Sequence, residues 1–421
     1  MPQWLCLLVV LLSCALLVPG ESDAVRVVRT YGGVHAALLD LSPDGNLLLV
    51  RDSSKVPCDK HPAGKCWADT LAVYRADTGK RVIAYPVSEK ELAYFKFARF
   101  LSNDVVSVVN NDSFRGQTFV EWNLRTGSVG GTVLLPSKMP AWCIAGRKVV
   151  LVKKYSVAKW FHFSSFATVE AGEHVEPLQP GSLNLDDDEP ACRSWAAADS
   201  FLLQGHLATG DRKLPVLFLV STKPSVPYRV CDVGGAAIHG HAVSPDGSLA
   251  AIITSTGTDS EGVMPANAKV FLTILTLPAC QISSRQELSF PERPQWRSKL
   301  LAPNYHYWAG ARFGGSWRVA ISPDKTKLAI GYGVRTGDEY SDARAFFGLY
   351  SLPTAQRLAT WKADVFRNGL WEALRDGDLV PTKTAPLNGL LIFSPDSQAL
   401  FAGSLRAWQW DLKGFKAAAA K

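Results

Sequence analysis

The chain lacks the short motifs that mark several common kinds of enzyme. It has no Gly-x-Ser-x-Gly sequence, which places a nucleophilic serine on a sharp turn, and no His-Glu-x-x-His sequence, which supplies two zinc ligands and a base. It also lacks the glycine-rich loops that surround phosphate groups. These absences remove the most recognisable signatures of hydrolases and nucleotide-binding enzymes, and they favour a function without catalysis.

Concentrated positive charge is also lacking. The 421 residues carry a formal net charge of +7, but lysine and arginine form no stripe of the kind that fits a nucleic acid. We therefore expect no nucleic-acid partner. A mild positive balance serves solubility and gives weak attraction to acidic surfaces.

Long apolar runs are confined to the N-terminus. The segment 5–18 is almost wholly apolar and uncharged. A run this short is typical of a secretory signal, so residues 1–20 are predicted to be a signal peptide, with no membrane span after its removal. The predicted location is secreted or periplasmic. Because no Lys or Arg precedes the apolar run, retention as an N-terminal membrane anchor stays open, as does lipidation at Cys14.

What the chain does contain is a repeated turn. Proline at the second position of a four-residue turn fixes φ, and aspartate and glycine suit the following positions. Strands joined by such a turn are antiparallel neighbours. The turn occurs between short apolar runs at Ser42-Pro43-Asp44, Ser244-Pro245-Asp246, Ser322-Pro323-Asp324 and Ser394-Pro395-Asp396. A recurring turn between recurring strands predicts a repeat architecture.

Each unit holds a second hairpin, as at Val73 and Val120, which gives four strands per unit. Seven such units predict an all-β fold, a seven-bladed β-propeller over residues 21–416 with a loose tail at 417–421. The last unit is one strand short, and a strand at 25–29 would complete it and close the ring. A two-domain β-sandwich arrangement is the alternative. The units begin near His35, Ala93, Ala141, Cys192, His239, Trp317 and Gly389.

The pattern resembles the WD-repeat and related bacterial exported propellers, whose blades carry Ser-Pro-Asp-Gly between their first two strands. Gly240-His241 ahead of Ser244-Pro245-Asp246-Gly247 matches part of that family's blade, as does Trp410-Asp411 in the last unit. The likeness covers roughly residues 25–416. It implies the fold and no particular activity, because propellers host many unrelated functions.

Export would permit disulfides, and of the eight cysteines only Cys6 and Cys14 belong to the predicted signal peptide. Cys58 and Cys66 flank one short loop and are expected to form a disulfide, with free thiols or a metal site as the alternatives. Cys192 and Cys231 each precede the first strand of adjacent blades and could meet, whereas Cys280 is expected at the opposite end of its blade. The pairing of Cys143, Cys192, Cys231 and Cys280 stays open.

The two faces of the predicted ring differ. Strands alternate in direction, so the turns between strands one and two and between strands three and four lie on one face, and all other connections lie on the second. The first class is tight. Long loops carry function more often than tight turns, so the second face is expected to be the working face. Its connections include 52–70, 110–117, 172–190, 255–269, 283–315, 333–345 and 362–387.

An aromatic and cationic group on that face is a candidate binding site. Arginine and aromatic side chains concentrate at recognition sites. The alternative is that these rings only anchor the insertion on a blade. The group is Trp296, Arg297, Tyr305, His306, Tyr307, Trp308 and Arg312.

Two further groups could bind a metal. Asp186 and Asp188 lie in an acidic turn whose oxygens could bind Ca²⁺, although a solvated turn is the simpler interpretation. His239 and His241 stand two apart on a predicted strand, which would put both imidazoles on one side as half of a metal site. The alternative is a buried histidine beside a packing residue. No cofactor is expected, with Ca²⁺ or another divalent metal as the alternative.

We therefore expect an exported scaffold that binds a protein or an envelope polymer through its long-loop face. The alternative is a propeller enzyme, such as a metal-dependent hydrolase or lactonase, with its site at the mouth of the central channel. The two hypotheses differ in whether carboxylates and histidines from several blades converge around that channel.

Overall fold

The computed structural model describes the greater part of the seven predicted units. The described residues are 27–32, 36–57, 65–87, 95–112, 116–137, 141–157, 160–170, 176–178, 192–194, 200–209, 212–223, 226–234, 237–256, 268–289, 317–335, 343–352, 354–363, 391–403 and 407–415. The predicted signal peptide at 1–20 and the tail at 417–421 lie outside them, and both stay predictions. No helix within the described ranges is long and apolar enough to span a membrane.

The described strands form seven four-stranded antiparallel sheets, which are the blades of a β-propeller. Blade 1 contains β2 (Ala36–Leu41), β3 (Leu47–Pro57), β4 (Lys65–Arg75) and β5 (Arg81–Ala84), and blade 2 contains β6 (Phe95–Phe100), β7 (Val105–Asp112), β8 (Gly116–Asn123) and β9 (Val129–Leu134). Blade 3 contains β10 (Ala141–Ala145), β11 (Lys148–Val157), β12 (Trp160–Glu170) and β13 (Glu176–Leu178), and blade 4 contains β14 (Cys192–Ser194), β15 (Ser200–Thr209), β16 (Arg212–Ser221) and β17 (Arg229–Asp232).

The remaining blades follow the same order. Blade 5 contains β18 (Ala237–Val243), β19 (Leu249–Ser255), β20 (Val270–Thr276) and β21 (Gln281–Glu287), and blade 6 contains β22 (Arg318–Ile321), β23 (Lys327–Arg335), β24 (Ala343–Ser351) and β25 (Arg357–Ala363). Blade 7 contains β26 (Leu391–Phe393), β27 (Ala399–Gly403), β28 (Ala407–Asp411) and, as its fourth strand, β1 (Val27–Tyr31). The seven-bladed fold and the closure by the N-terminal strand are thus confirmed.

Apolar side chains pack between each pair of neighbouring blades. The first strands of consecutive blades contact one another around the ring, and β2 of blade 1 contacts β27 of blade 7. Between blades 6 and 7 the rings of Phe347, Trp361 and Trp410 lie within 4.7–5.8 Å of one another. The seam between blades 7 and 1 is also apolar, since Leu38 and Leu48 pack with Tyr31 and Phe401. Removal of this surface from water is the main force that holds the ring together.

Tyr31 ties the closing strand to blade 1. Its ring is buried, and its hydroxyl donates to the Ala76 carbonyl at 2.6 Å and lies 2.7 Å from Gln409 Oε1. The Arg29 guanidinium donates to the same carbonyl at 2.8 Å. Burial raises the pKa of Tyr31 to about 12, and the nearby Arg29 only partly offsets this. The first strand of the described chain is therefore held by polar bonds as well as by packing.

The four Ser-Pro-Asp turns share one hydrogen-bond pattern, which explains why serine and aspartate recur with the proline. The serine hydroxyl donates to the aspartate Oδ1 at 2.5–2.6 Å. The same hydroxyl accepts from the backbone N–H five residues later at 2.8–3.0 Å. The fourth turn residue has a positive φ in every copy, and it is Gly45, Gly247, Lys325 or Ser397. Glycine suits this backbone best, and blades 6 and 7 tolerate another residue there.

A disulfide between Cys231 and Cys280 joins blades 4 and 5, with Cα atoms 5.0 Å apart. Cys231 lies in β17, the outermost strand of blade 4, and Cys280 lies in the connection between β20 and β21. The suggested meeting of Cys192 with Cys231 is therefore wrong, whereas Cys280 lies at the end of its blade opposite to the start of β18, as expected. The reason is that an outer strand of one blade runs beside the outer turn of the next. Cys143 is also disulfide-bonded.

Candidate functional site

The strand ends place two different kinds of connection on the two faces of the ring. On the tight-turn face, the connections between strands one and two and between strands three and four are short, and the longest of them is 222–228. On the opposite face, the connections run up to 256–269 within blade 5, 288–317 between blades 5 and 6, and 364–390 between blades 6 and 7. We call this second face the long-loop face.

The tight-turn face is tied together between blades 5, 6 and 7. The Lys325 ammonium donates to Asp246 Oδ2 at 2.8 Å, which joins the first turn of blade 6 to that of blade 5. The backbone N–H of Asp324 donates to the Ser397 hydroxyl at 3.3 Å, which joins blade 6 to blade 7. Burial raises the pKa of Asp246, but hydrogen bonds from Lys325 and from serines of its own turn outweigh burial and hold the pKa below its usual value.

Contacts between tight turns continue from blade 7 to blades 1 and 2. A Cβ on Gly45 would lie 2.5 Å from Cδ of Pro395, so the two turns touch at that glycine. The backbone N–H of Asp44 donates to Asn103 Oδ1 in the first turn of blade 2, at 3.1 Å. The tight turns therefore connect neighbouring blades, and their polar groups form hydrogen bonds with one another.

Three arginines near the tight-turn face are paired with carboxylates. The ion pairs there are Arg75–Asp77 at 3.0 Å, Arg125–Asp104 at 2.6 Å, and Arg147 with both Glu121 at 2.9 Å and Glu170 at 3.0 Å. Exposed pairs contribute little stability. They do, however, balance the charges of these three arginines locally.

Hairpins project from the blades on the long-loop face. In blade 3 the first strand pairs with β11 only at 148–151, yet the β11–β12 pairing continues to Val157 and Trp160. In blade 4, β14 pairs with β15 at 201–203, and the β15–β16 pairing continues to Thr209 and Arg212. Blade 1 has a similar extension up to Pro57 and Lys65. The loops expected at 52–70 and 110–117 are thus mostly strand, because these segments continue their hairpin pairing.

Polar side chains hold the starts of blades 2 and 3 at this end of the ring. The backbone N–H of Phe95 donates to Asp69 Oδ2 at 3.2 Å, and Arg51 donates to the Phe95 carbonyl at 2.9 Å. One blade further, the backbone N–H of Ala141 donates to Gln117 Oε1 at 2.8 Å. These bonds join blade 1 to blade 2 and blade 2 to blade 3 at the base of the long-loop face.

A β-bulge determines where the two candidate histidines lie. Ile238 pairs with Thr254 and Gly240 pairs with Ile253, so His239 is an extra residue in the strand. Its Nε2 lies 2.8 Å from the Ser255 hydroxyl, and its ring lies 5.6 Å from that of Trp317 at the start of blade 6. His239 therefore faces blade 6.

His241 lies on the other side of the same blade. It pairs with Ile252, which belongs to the apolar cluster between blades 4 and 5. Both histidines are buried, His239 at 4% exposed and His241 at 1%. The bulge thus separates two imidazoles that regular alternation would have placed together.

His239 and Ser255 form the nearest approach to a catalytic pair among the described side chains. A histidine nitrogen within hydrogen-bond reach of a serine hydroxyl is the geometry of an activated nucleophile. Here Ser255 is fully buried and Trp317 packs beside the imidazole. These contacts fit a buried hydrogen bond between His239 and Ser255 that holds the long-loop end of blade 5 against Trp317 of blade 6.

Most of the residues singled out in the sequence lie outside the described part of the chain. They are Trp296, Arg297, Tyr305, His306, Tyr307, Trp308, Arg312, Asp186, Asp188 and Cys58. The aromatic binding site, the calcium alternative and the Cys58–Cys66 disulfide therefore stay predictions. Across the described residues, no group of three or more His, Cys, Asp or Glu side chains is arranged to hold a metal ion.

No protein-family model matches this chain, and no curated protein matches its sequence.

One partly buried ion pair is marked in the sequence only by a contrast between the repeats. Asp40 in β2 accepts from the Phe100 backbone N–H at 2.8 Å, and its carboxylate lies 3.9 Å from Arg99 Nε in blade 2. Burial raises the pKa of Asp40, while Arg99 and the backbone donors oppose this. In blades 5 and 6 the residue two positions before the Ser-Pro-Asp turn is Ala242 or Ala320. That contrast within the repeat is the one feature that could have drawn attention to Asp40.

Proposed function

We propose that this protein is an exported, non-catalytic scaffold that binds a protein or an envelope polymer through its long-loop face. The observation that carries the proposal is the contrast between the two faces. On one face, hydrogen bonds join the turns of blades 5, 6 and 7 and those of blades 1 and 2, and the turns of blades 7 and 1 touch. On the other face, the hairpins of blades 1, 3 and 4 project.

The physical argument concerns which groups are available to a partner. On the tight-turn face, serine and aspartate side chains bond within their own turns, and Lys325 pairs with the aspartate of the neighbouring turn. Binding there would have to replace bonds that already exist, and exchanging one set of polar bonds for another yields little net free energy. On the long-loop face, a rigid platform supports long connections, which is the arrangement that recognition proteins commonly use.

Site-specific cross-linking tests this proposal with two matched positions. Leu214 lies in the blade 4 projection and is 46% exposed, whereas Ile282 lies beside the outer tight turn of blade 5 and is 47% exposed. Each would be replaced in turn by p-benzoylphenylalanine, and the mature protein would be irradiated with the envelope fraction of the cells that produce it. We expect defined adducts from position 214 and none from position 282.

Equal exposure of the two positions makes the comparison informative. Adducts at 282 with none at 214 would overturn the assignment of the working face. Adducts at neither position would count against a partner that contacts blade 4. A melting temperature close to that of the unaltered protein would establish that each variant is folded.

A further inference from the structure

Cys143 lies in the apolar cluster between blades 3 and 4. It is 8% exposed, and the same cluster contains Phe201 and Leu203 of blade 4. Cys143 is disulfide-bonded, and the Cα atoms of two bonded cysteines lie within about 7 Å of each other. The partner cysteine therefore belongs at or very near the seam between these two blades.

Cys192 stands at the same seam. It begins β14, the first strand of blade 4, and pairs with Leu203 of β15. Leu203 belongs to the cluster that contains Cys143. The strand that carries Cys143, β10, contacts β14 directly. The backbone of the two neighbouring first strands therefore brings these two cysteine positions close together.

The six other cysteines of the chain are bonded elsewhere, removed or distant. Two of them form the disulfide that joins blades 4 and 5, and two belong to the predicted signal peptide, which export would remove. Of the last two, Cys66 lies in β4 of blade 1, and Cys58 directly follows β3 of the same hairpin. Blade 2 stands between that hairpin and blade 3. Elimination therefore leaves Cys192 as the partner of Cys143.

We infer that Cys143 and Cys192 form a disulfide across the seam of blades 3 and 4, and that this bond anchors the start of blade 4. The inference does not rest on the proposed function. Two thiols form such a bond when they give up two protons and two electrons to an oxidant, here a small-molecule disulfide that is reduced to two thiols. Disulfides persist in oxidising compartments, so a further one agrees with the predicted export.

The anchoring role follows from the shortness of β14. This strand has three residues and pairs with β15 at three positions, whereas the first strands of blades 1 and 5 have six and seven residues. Few ladder bonds hold a strand of this length, so a covalent bond to β10 adds an attachment that the longer first strands do not need. With Cys231–Cys280, blade 4 is then linked covalently to both of its neighbours.

Peptide mapping of the mature protein tests the pairing without any substitution. Free thiols would be blocked with N-ethylmaleimide at acidic pH, and the protein would be digested with trypsin without reductant. Cleavage after lysine and arginine places Cys143 in peptide 139–147 and Cys192 in peptide 160–193. The Cys231–Cys280 disulfide is an internal reference, because it links peptides 230–269 and 270–285.

We expect a species with the summed mass of peptides 139–147 and 160–193 less two hydrogens, which separates into the two peptides on reduction. Linkage of 139–147 to any other peptide would overturn the pairing. N-ethylmaleimide on Cys143 or Cys192, in a digest where the reference linkage is intact, would also overturn it.

Hydrogen–deuterium exchange tests the anchoring role. The variant Cys143→Ala with Cys192→Ala should exchange faster at 192–194 by roughly tenfold, because β14 then opens more often. The matched control, Cys231→Ala with Cys280→Ala, removes the disulfide at the outer edge of the same blade and should change exchange at 192–194 by less than about twofold. Exchange at 318–321, in the first strand of blade 6, should be unaltered in both variants.

Two results would end the anchoring role. Unchanged exchange at 192–194 in the first variant would show that pairing with β15 alone holds β14. Loss of the whole fold in that variant would show that the bond is not a local anchor. The peptide map decides the pairing independently of both results.

Discussion

The ammonium of Lys325 lies 2.8 Å from the carboxylate of Asp246, and this contact spans two blades of the ring. Lys325 also has a φ of 56°, at the turn position that glycine occupies in blades 1 and 5. The residue therefore combines an unfavourable backbone conformation with an ion pair to the neighbouring turn. The two effects can be separated by substitution.

We predict that Lys325→Ala is less stable than Lys325→Gly by about 1 kcal/mol, because both lose the ion pair and only glycine relieves the left-handed backbone. Urea unfolding midpoints of the two variants give the difference directly. If the alanine variant matches the glycine variant, the turn of blade 6 is not under the backbone strain described here.

Gly45 and Gly127 offer a matched test of the seam between blades 7 and 1. Their φ values are 76° and 72°, but an added Cβ would meet Pro395 at 2.5 Å in the first case and only Ile83 at 3.6 Å in the second. We predict that Gly127→Ala costs about 1 kcal/mol and that Gly45→Ala costs about 1–3 kcal/mol more, because the Pro395 turn must move. Equal costs, measured by urea unfolding, would mean that the two turns do not touch.

Tyr31 should make ring closure sensitive to alkaline pH. Its pKa is raised from 10.0 to about 12 in the folded protein, so its stabilising effect is fully present below pH 10 and is lost as pH rises through about 12. Tyr31→Phe lacks this titration and should be less stable by about 1 kcal/mol at pH 8. We predict that the gap in urea midpoint between the two proteins closes between pH 10 and pH 12. A constant gap would show that the hydroxyl does not titrate in this way.

The Cys231–Cys280 disulfide should stabilise the contact between blades 4 and 5. It closes a chain segment with a sequence separation of 49 residues. Replacing both cysteines by alanine should lower the free energy of unfolding by about 2–4 kcal/mol. Both proteins would be unfolded without reductant, so that the disulfide of Cys143 persists in each. Unchanged midpoints would indicate that packing alone holds these two blades together.

The repeat was predictable because its signal is local. Ser42, Asp44 and their counterparts satisfy each other within one turn, so the same letters recur wherever the turn recurs. The unit starts near His35, Ala141 and Trp317 agree with the observed first strands. The closure by β1 was also predictable, because the last unit has only three strands of its own and an unpaired sheet edge tends to pair with another strand.

Features that depend on other blades could not be predicted. The glycine beside the bulge at His239 is required by blade 6, because a Cβ at Gly240 would collide with the Trp317 carbonyl. The acceptor for the Phe95 N–H is Asp69 in the preceding blade, and no local pattern identifies it. The strands at 52–57 and 65–70 stay paired beyond the point where β2 ends. The residues of these segments are typical of loops, so the sequence predicts a loop there. The aromatic group around Trp308 is still a prediction.

Hydrogen–deuterium exchange with and without the envelope fraction used for cross-linking would test the central claim most directly, since it reports on both faces of one protein in one experiment. We predict slower exchange on the long-loop face, at 152–157, 160–165 and 204–209, when the envelope fraction is present, and unchanged exchange in the tight turns at 42–46, 244–248 and 322–326. Slower exchange in the tight turns, with the projections unaffected, would contradict the assignment of the long-loop face as the working face.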